Sequence, residues 1–320
     1  MLNWLNTYRR YACDINRINR EAKENPEDLV LTAEKIFRND LRMIANRITD
    51  IPVKRHIVLL SGPSSSGKTT CGKKLAEEFE INGCSPVLIS LDDFYKGLEF
   101  VDRLPNGKPD FESVSALDTD LMKKCLADIA GTGETDIPIY DFSNSRRSGK
   151  VRHIKLENNA VVIVEGIHAL NPIFEHMVPR ENMSRIYVSV KQGIKDNEDH
   201  VLDDREIRCI RRIVRDSKFR NTNAGYVLDM WKEVLDGEMK YIRPYRYTSD
   251  FTVNTIHIYE PCVLKKPALE MLSLIEKSSP LYPAASRLIS SLERFEDIDE
   301  TLVPKNSLIR EFLGGGSYVY

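Results

Sequence analysis

Residues 62–69 read Gly-Pro-Ser-Ser-Ser-Gly-Lys-Thr: a glycine, four residues, a second glycine, a lysine and a hydroxyl residue. A match to that pattern by chance in a chain of 320 residues has odds of about one in a hundred. The context tightens it. The apolar run Ile57–Leu60 precedes the loop and the helical pattern of Lys68–Glu80 follows it, so loop amides and a helix N-terminus converge on one anion. Gly62, Ser64, Ser65, Ser66, Gly67, Lys68, Thr69 and Thr70 are therefore the candidate nucleotide-binding residues. Lys68 is placed to reach the terminal phosphates of ATP, and Thr69 a Mg2+ ion. Such a loop implies nucleotide binding but leaves the reaction open.

The rest of the chain has the texture such a loop needs. Short, continuously apolar runs at His56–Leu60, Pro86–Leu91, Ala160–Val164, Ile186–Val190 and Phe251–Val253 alternate with helical stretches such as Leu117–Ala130. Continuous rather than alternating apolar runs belong to parallel strands buried on both faces. The expected fold is α/β, a three-layer sandwich around a mainly parallel sheet. Ile137–Leu156 departs from this, with two strand-like segments around the turn formers Ser143–Lys150, and predicts a projecting hairpin. Before the loop, Leu29, Ala33, Ile36, Phe37, Leu41, Ile44 and Ile48 make an apolar helical stripe within Pro26–Ile48. Leu5–Lys23 also reads as helical. After Pro261, helices are expected at Pro267–Lys277, Ala284–Glu293 and Lys305–Leu313, ending in a flexible glycine run, Gly314–Gly316. The organisation expected is a helical extension over 1–50, a core over 51–262 with a lid at about 200–240, and a second helical extension over 263–320. The two extensions are candidates for homo-oligomerisation or regulation.

Composition narrows the partners. A formal charge of −2 and a pI near 6.4 leave no basic field for nucleic acid or an acidic membrane surface. No apolar run approaches the roughly 18 residues that span a bilayer, and Met1–Arg10 has no signal layout, so a cytoplasmic location is expected. The six cysteines are scattered without metal-ligand spacing and read as reduced thiols.

In open α/β sheets the ligand crevice lies beyond the strand C-termini. Asp92 and Asp93 follow one apolar run and Glu165 follows another. A carboxylate there can take a proton from an acceptor hydroxyl or hold Mg2+. Further along, Arg205, Arg208, Arg212 and Arg215 fall on one arc of a helical wheel, opposite Ile207, Ile210 and Val214.

Four segments, Ser90-Leu91-Asp92-Asp93-Phe94-Tyr95, Pro138-Ile139-Tyr140-Asp141-Phe142, Val164-Glu165-Gly166-Ile167 and Arg211-Arg212-Ile213-Val214-Arg215-Asp216, resemble in sequence and order elements of the uridine kinase and phosphoribulokinase family. The resemblance spans about His56 to Pro261. It implies a P-loop kinase with ATP and Mg2+, an acceptor-proton base at Asp92, a magnesium-associated carboxylate at Glu165, and an acceptor pocket lined by Tyr95 and Tyr140. It places Glu112 on the ribose hydroxyls and makes Arg212 and Arg215 the lid arginines that meet the phosphoryl group in flight, with Arg212 also on the ribose side. The chain departs from the family in two places. Lys218-Phe219-Arg220-Asn221 replaces the Arg-Gly-Arg that follows the lid helix in many uridine kinases, and Ser145 stands where they carry a histidine facing the pyrimidine. The acceptor implied is a small molecule, a nucleoside phosphorylated on its 5′-hydroxyl. Uridine and cytidine lead, with looser base selectivity. A same-fold kinase for a sugar phosphate or pantothenate and a non-catalytic nucleotide switch are the alternatives.

Overall fold

The computed structural model describes residues 5–6, 13–51, 55–141, 144, 146–174, 180–197 and 199–319. Ser145, expected at the base edge, and Phe142 lie outside them. Six parallel strands form the main sheet: β1 (Leu5–Asn6), β2 (Arg55–Ser61), β3 (Ser85–Ser90), β6 (Ala160–Glu165), β7 (Met183–Ser189) and β10 (Phe251–Asn254), in the order β1-β10-β7-β2-β6-β3. The strand that feeds the phosphate loop, β2, is therefore central. Leu5–Asn6 is a correction, since the stretch read as helical from Leu5 contributes a strand beside β10 and its helix α1 starts at Ile15 (Ile15–Glu24). Asp14 caps that helix by accepting from the N–H groups of Asn16 and Arg17.

The continuous apolar runs are explained by burial on two sides. Val58 and Leu60 of β2, Val161 and Ile163 of β6, and Ile186 and Val188 of β7 face a layer of helices. That layer contains α1, α2 (Pro26–Thr49), α3 (Lys68–Ile81), α5 (Asp204–Phe219), α6 (Ala224–Gly237), α7 (Glu260–Leu272), α8 (Tyr282–Glu293) and α9 (Arg310–Leu313). Ile57, Leu59, Val162 and Val164, the alternate residues, face α4 (Thr119–Gly131) and the hairpin of β4 (Glu134–Asp141) and β5 (Arg146–Lys155). A short antiparallel pair, β8 (Ile194–Asp196) and β9 (Asp199–Leu202), leads into α5.

Three expectations past Pro261 change. The first helix there begins at Glu260, with Pro261 in the first turn where its missing N–H costs nothing, and Lys305–Leu313 is helical only from Arg310. The glycine run is not a free tail. Gly314 sits against the Phe219 ring, and Ser317 N donates to Lys305 O at 2.8 Å.

Candidate active site

The phosphate loop leaves the C-terminal end of β2 and opens α3. Its backbone has no slack. A Cβ on Gly62 would stand 2.0 Å from Val188 O, and Gly67 takes φ 85° to turn into the helix, a conformation that L side chains avoid. Lys68 lies across the loop, its Nζ donating to Pro63 O at 3.1 Å. Burial pulls that ammonium below its ordinary value, against the opposing pull of the Glu165, Asp92, Glu311 and Glu112 carboxylates around it.

Sheet register assembles the next part. Glu165 pairs with Leu60 on one side and with Ser90 on the other, so the ends of β2, β6 and β3 are level. From there Thr69 Oγ1 reaches Glu165 Oε1 at 3.3 Å and Ser90 Oγ reaches the same oxygen at 2.8 Å. Burial, with Asp92 nearby, pushes the Glu165 carboxyl well up, while Lys68 and the Ser90 bond act against it. Asp92 follows in a short 3-10 turn, Leu91–Phe94, capped by Ser90. The two adjacent acids part company there. Asp93 Oδ1 accepts from Tyr140 N at 3.4 Å, beside the register shift between Pro138 and Tyr140, and so ties the hairpin to the sheet.

Beyond Asp92 lies an aromatic wall. The Tyr95 ring is 6.0 Å from Phe111 and 5.9 Å from Tyr140, and Tyr95 OH donates to Phe111 O at 3.1 Å. Glu112 follows Phe111 and packs against Gly237 of α6. Its Oε2 is shut off from solvent with no hydrogen bond among the described residues, and burial pushes the carboxyl up to about 7 even with Arg212 and Lys68 close by.

Helix α5, expected as the lid, starts at a capping box made by Asp203 and Glu206. Its arginines do more than face solvent. Arg212 Nη1 donates to Ser64 Oγ at 3.0 Å, and Arg208 Nη1 to Ser64 O at 3.1 Å. Arg215 instead pairs with Asp216 at 2.7 Å, and Arg212 Nε meets the same carboxylate at 3.2 Å. Arg205 is exposed. Arg211 is fully buried and bidentate on Glu260, at 2.6 and 2.9 Å, while its other contacts fall on Ser65 O and Thr255 O. The stripe expected to be a charged outer face is thus, at Arg208, part of the packing that holds the phosphate loop.

The sequence passed over four of these residues. Ser90 is one, and a serine two residues before an acid at a strand end is a capping signal. Arg208 stands on the arc expected to carry charge outward, and Arg211 shows no task in the sequence until the loop is seen beneath both. His168, three residues after Glu165, is buried against the backbone of Glu112 and Ser113, and burial lowers its imidazole to about 4.

The loop, the level strand ends, the Ser90 link from Glu165 to the Asp92 turn, and Arg208 and Arg212 of α5 meet at one end of the sheet. The sequence model of the phosphoribulokinase / uridine kinase family matches residues 57–259, more than half of the chain. The chain belongs to that family. It is a kinase, a phosphotransferase acting on a hydroxyl group, with ATP as co-substrate. Among relatives, the uridine kinase of Macrococcus caseolyticus is 32% identical over 204 residues, 62% of this chain and 88% of that protein. The uridine kinase of Staphylococcus haemolyticus is 30% identical over 202 residues, 62% and 86% of the two chains. Among solved structures, a putative fructose transport system kinase from Silicibacter matches with TM-score 0.49 and 16% identity, over 66% of this chain and 98% of that one. No helix among the described residues is long and apolar enough to cross a membrane.

Magnesium can be judged against the donors present. Thr69 and Glu165 offer a hydroxyl and a carboxylate oxygen, and three further acids, Asp92, Glu112 and Glu311, act on Lys68. No cage of three or more acidic, histidine or cysteine ligands exists among the described residues. An ion that keeps several waters and takes one or two protein oxygens plus substrate phosphates suits such a set.

Proposed function

We propose that this kinase transfers the γ-phosphoryl group of MgATP to the 5′-hydroxyl of a nucleoside, with uridine and cytidine as leading acceptors. The observation that carries the proposal is the Ser90 hydroxyl, which joins the carboxylate beside the phosphate loop, Glu165, to the turn that carries Asp92. In this mechanism Gly62, Ser64, Ser65, Ser66, Gly67, Lys68, Thr69 and Thr70 hold the donor phosphates. Thr69 and Glu165 hold the magnesium ion, which when bound supplies charge neutralisation on the phosphates.

Asp92 accepts the proton of the attacking hydroxyl. It suits that task because Asp93, its neighbour, is committed to the hairpin, while Asp92 stands close to both Lys68 of the phosphate loop and Tyr95 of the aromatic wall. Tyr95 and Tyr140 line the acceptor, and Glu112 accepts from vicinal sugar hydroxyls, giving its buried Oε2 the donor it lacks. Arg212 already touches the loop through Ser64, and Arg215 leaves Asp216 to join it as the lid settles, both meeting charge on the phosphoryl group.

The relatives named uridine kinase favour a nucleoside over a sugar phosphate. The pyrimidine edge lacks the family's histidine, and Ser145 takes that place in the sequence, so base selectivity is looser. We assign the core to 51–262 with its lid at about 200–240, the helical extensions to 1–50 and 263–320, and the protein to the cytoplasm. Catalytic efficiency across uridine, cytidine, adenosine, guanosine and ribose tests the acceptor. Activity confined to a non-nucleoside hydroxyl compound removes the nucleoside, and a strict pyrimidine preference removes the looseness.

A further inference from the structure

The first N–H groups of a helix have no carbonyl in their own helix to bond, and at a phosphate loop they are the donors a nucleotide needs. Thr70 is the third residue of α3. Its N–H and its hydroxyl both donate to one oxygen, Oε2 of Glu311, at 3.3 and 2.7 Å. Thr70 is fully buried and Glu311 is 8% exposed. A carboxylate carried 241 residues along the chain therefore stands where an anionic phosphate is expected.

The segment that brings it there is fastened along its length. Leu308 lies over Gly67, within 2.6 Å of where a Cβ would be. The Phe312 ring faces the Arg211 guanidinium at 5.1 Å, and Lys218 of the lid helix donates to Leu313 O at 3.1 Å. Past the glycines, Tyr318 OH donates to Glu77 Oε1 at 2.5 Å and Lys73 donates to Val319 O. The strap runs from the lid, over the loop, to the outer side of α3. Its fastenings sit on the two elements that a nucleotide must engage, the lid and the loop helix.

We propose that residues 307–319 are an autoinhibitory strap, in which Glu311 occupies the phosphate-binding donors of Thr70 and must withdraw before a nucleoside triphosphate seats fully. Two anions cannot share one pair of donors, so ATP affinity is reduced by the free energy of strap release. By reciprocity, whatever loosens the strap tightens ATP. A helix cap of purely structural purpose would instead stay in place when nucleotide binds.

The proposal rests on the phosphate loop being the ATP site, and one pair of measurements on the full chain separates the two. Hydrogen exchange of peptides covering 305–319 is followed with and without a saturating magnesium complex of a non-hydrolysable ATP analogue. The dissociation constant of that analogue is measured by calorimetry for the wild type and for Glu311→Gln. We expect nucleotide to speed exchange in 305–319 and the variant to bind about tenfold more tightly, since a charge-assisted competitor has become a neutral one. Exchange that is slowed or unchanged, or a folded variant that binds no better, overturns the strap while leaving the loop intact. If Glu311→Gln does not fold, exchange in the wild type decides alone. Failure of the analogue to bind either protein overturns the loop assignment and the strap together.

Discussion

Ser90 and Glu165 face each other across adjacent parallel strands, and the Ser90 hydroxyl donates to Glu165 Oε1 at 2.8 Å. The same hydroxyl accepts from Asp92 N at 3.3 Å. A hydroxyl has one proton to give and lone pairs to receive, and here the two are spent on different acids of the site. One serine thus sets the spacing between the carboxylate at the phosphate loop and the turn that presents the proposed base. The distance between Glu165 and the turn that carries Asp92 is set by strand register and the Ser90 hydroxyl.

The adjacent acids should separate in kinetics. Asp92→Asn is expected to lower turnover by about 10² to 10⁴ with little change in ATP affinity, because a general base acts on the acceptor. Asp93→Asn should instead loosen the hairpin and raise the KM for the acceptor, with a smaller loss in turnover. Steady-state kinetics with both substrates varied reads this, and a larger turnover loss in Asp93→Asn than in Asp92→Asn exchanges their roles.

Along α5 the effect should follow reach to the transferred phosphoryl group rather than charge alone. Arg212→Ala and Arg215→Ala are expected to reduce kcat by about 10² while the KM for ATP moves less, as for contacts strongest in the transition state. Arg205, exposed and distant from the loop, should be near neutral. Equal losses at all three positions would point to a diffuse basic face.

Arg211 belongs to stability. Its bidentate pair with Glu260 is wholly buried, so Arg211→Ala strands a carboxylate in the interior and should cost about 3 to 5 kcal/mol. Denaturant unfolding with nucleotide absent measures this. A loss under about 1 kcal/mol would mean that the pair contributes little beyond its neighbours.

Glu112 should leave a mark on pH dependence. Its folded carboxyl is raised from 4.5 to about 7 by burial, so below pH 4.5 it is neutral in both states and carries no charge penalty. Between 4.5 and 7 the unfolded chain ionises first and stability falls, and above 7 the loss is complete. Glu112→Gln should therefore match the wild type at about pH 3 and exceed it by roughly 3 kcal/mol at pH 8. The acceptor KM of the wild type should drop as pH rises through 7 and the carboxylate forms. A stability difference independent of pH would show that folding does not raise the Glu112 carboxyl.

Much of this was legible from sequence because it is local. Continuous apolar runs gave parallel strands, since a strand covered on both sides has no polar face to alternate. The glycines, lysine and threonine at 62–69 are consecutive, so their joint purpose needs no tertiary information. Glu165 and Asp92 could be placed together from sequence because both stand at strand ends, where the crevice is expected. What stayed hidden depends on distant chain coming together. Leu5–Asn6 is too short to show a period and becomes a strand only beside β10. Arg208 reads as part of a charged outer arc, and Arg211 shows no task, until the loop beneath them is known. Glu311 is one acid among many in a terminal helix, and nothing near it in sequence announces Thr70.

Product analysis with ATP labelled in its γ-phosphate and uridine as acceptor tests the proposed reaction most directly. We expect the label in uridine 5′-monophosphate, stoichiometric with ADP, and absent when Asp92→Asn replaces the wild type at equal concentration and time. Label released only as inorganic phosphate, with no phosphorylated nucleoside from uridine, cytidine, adenosine or guanosine, would contradict it.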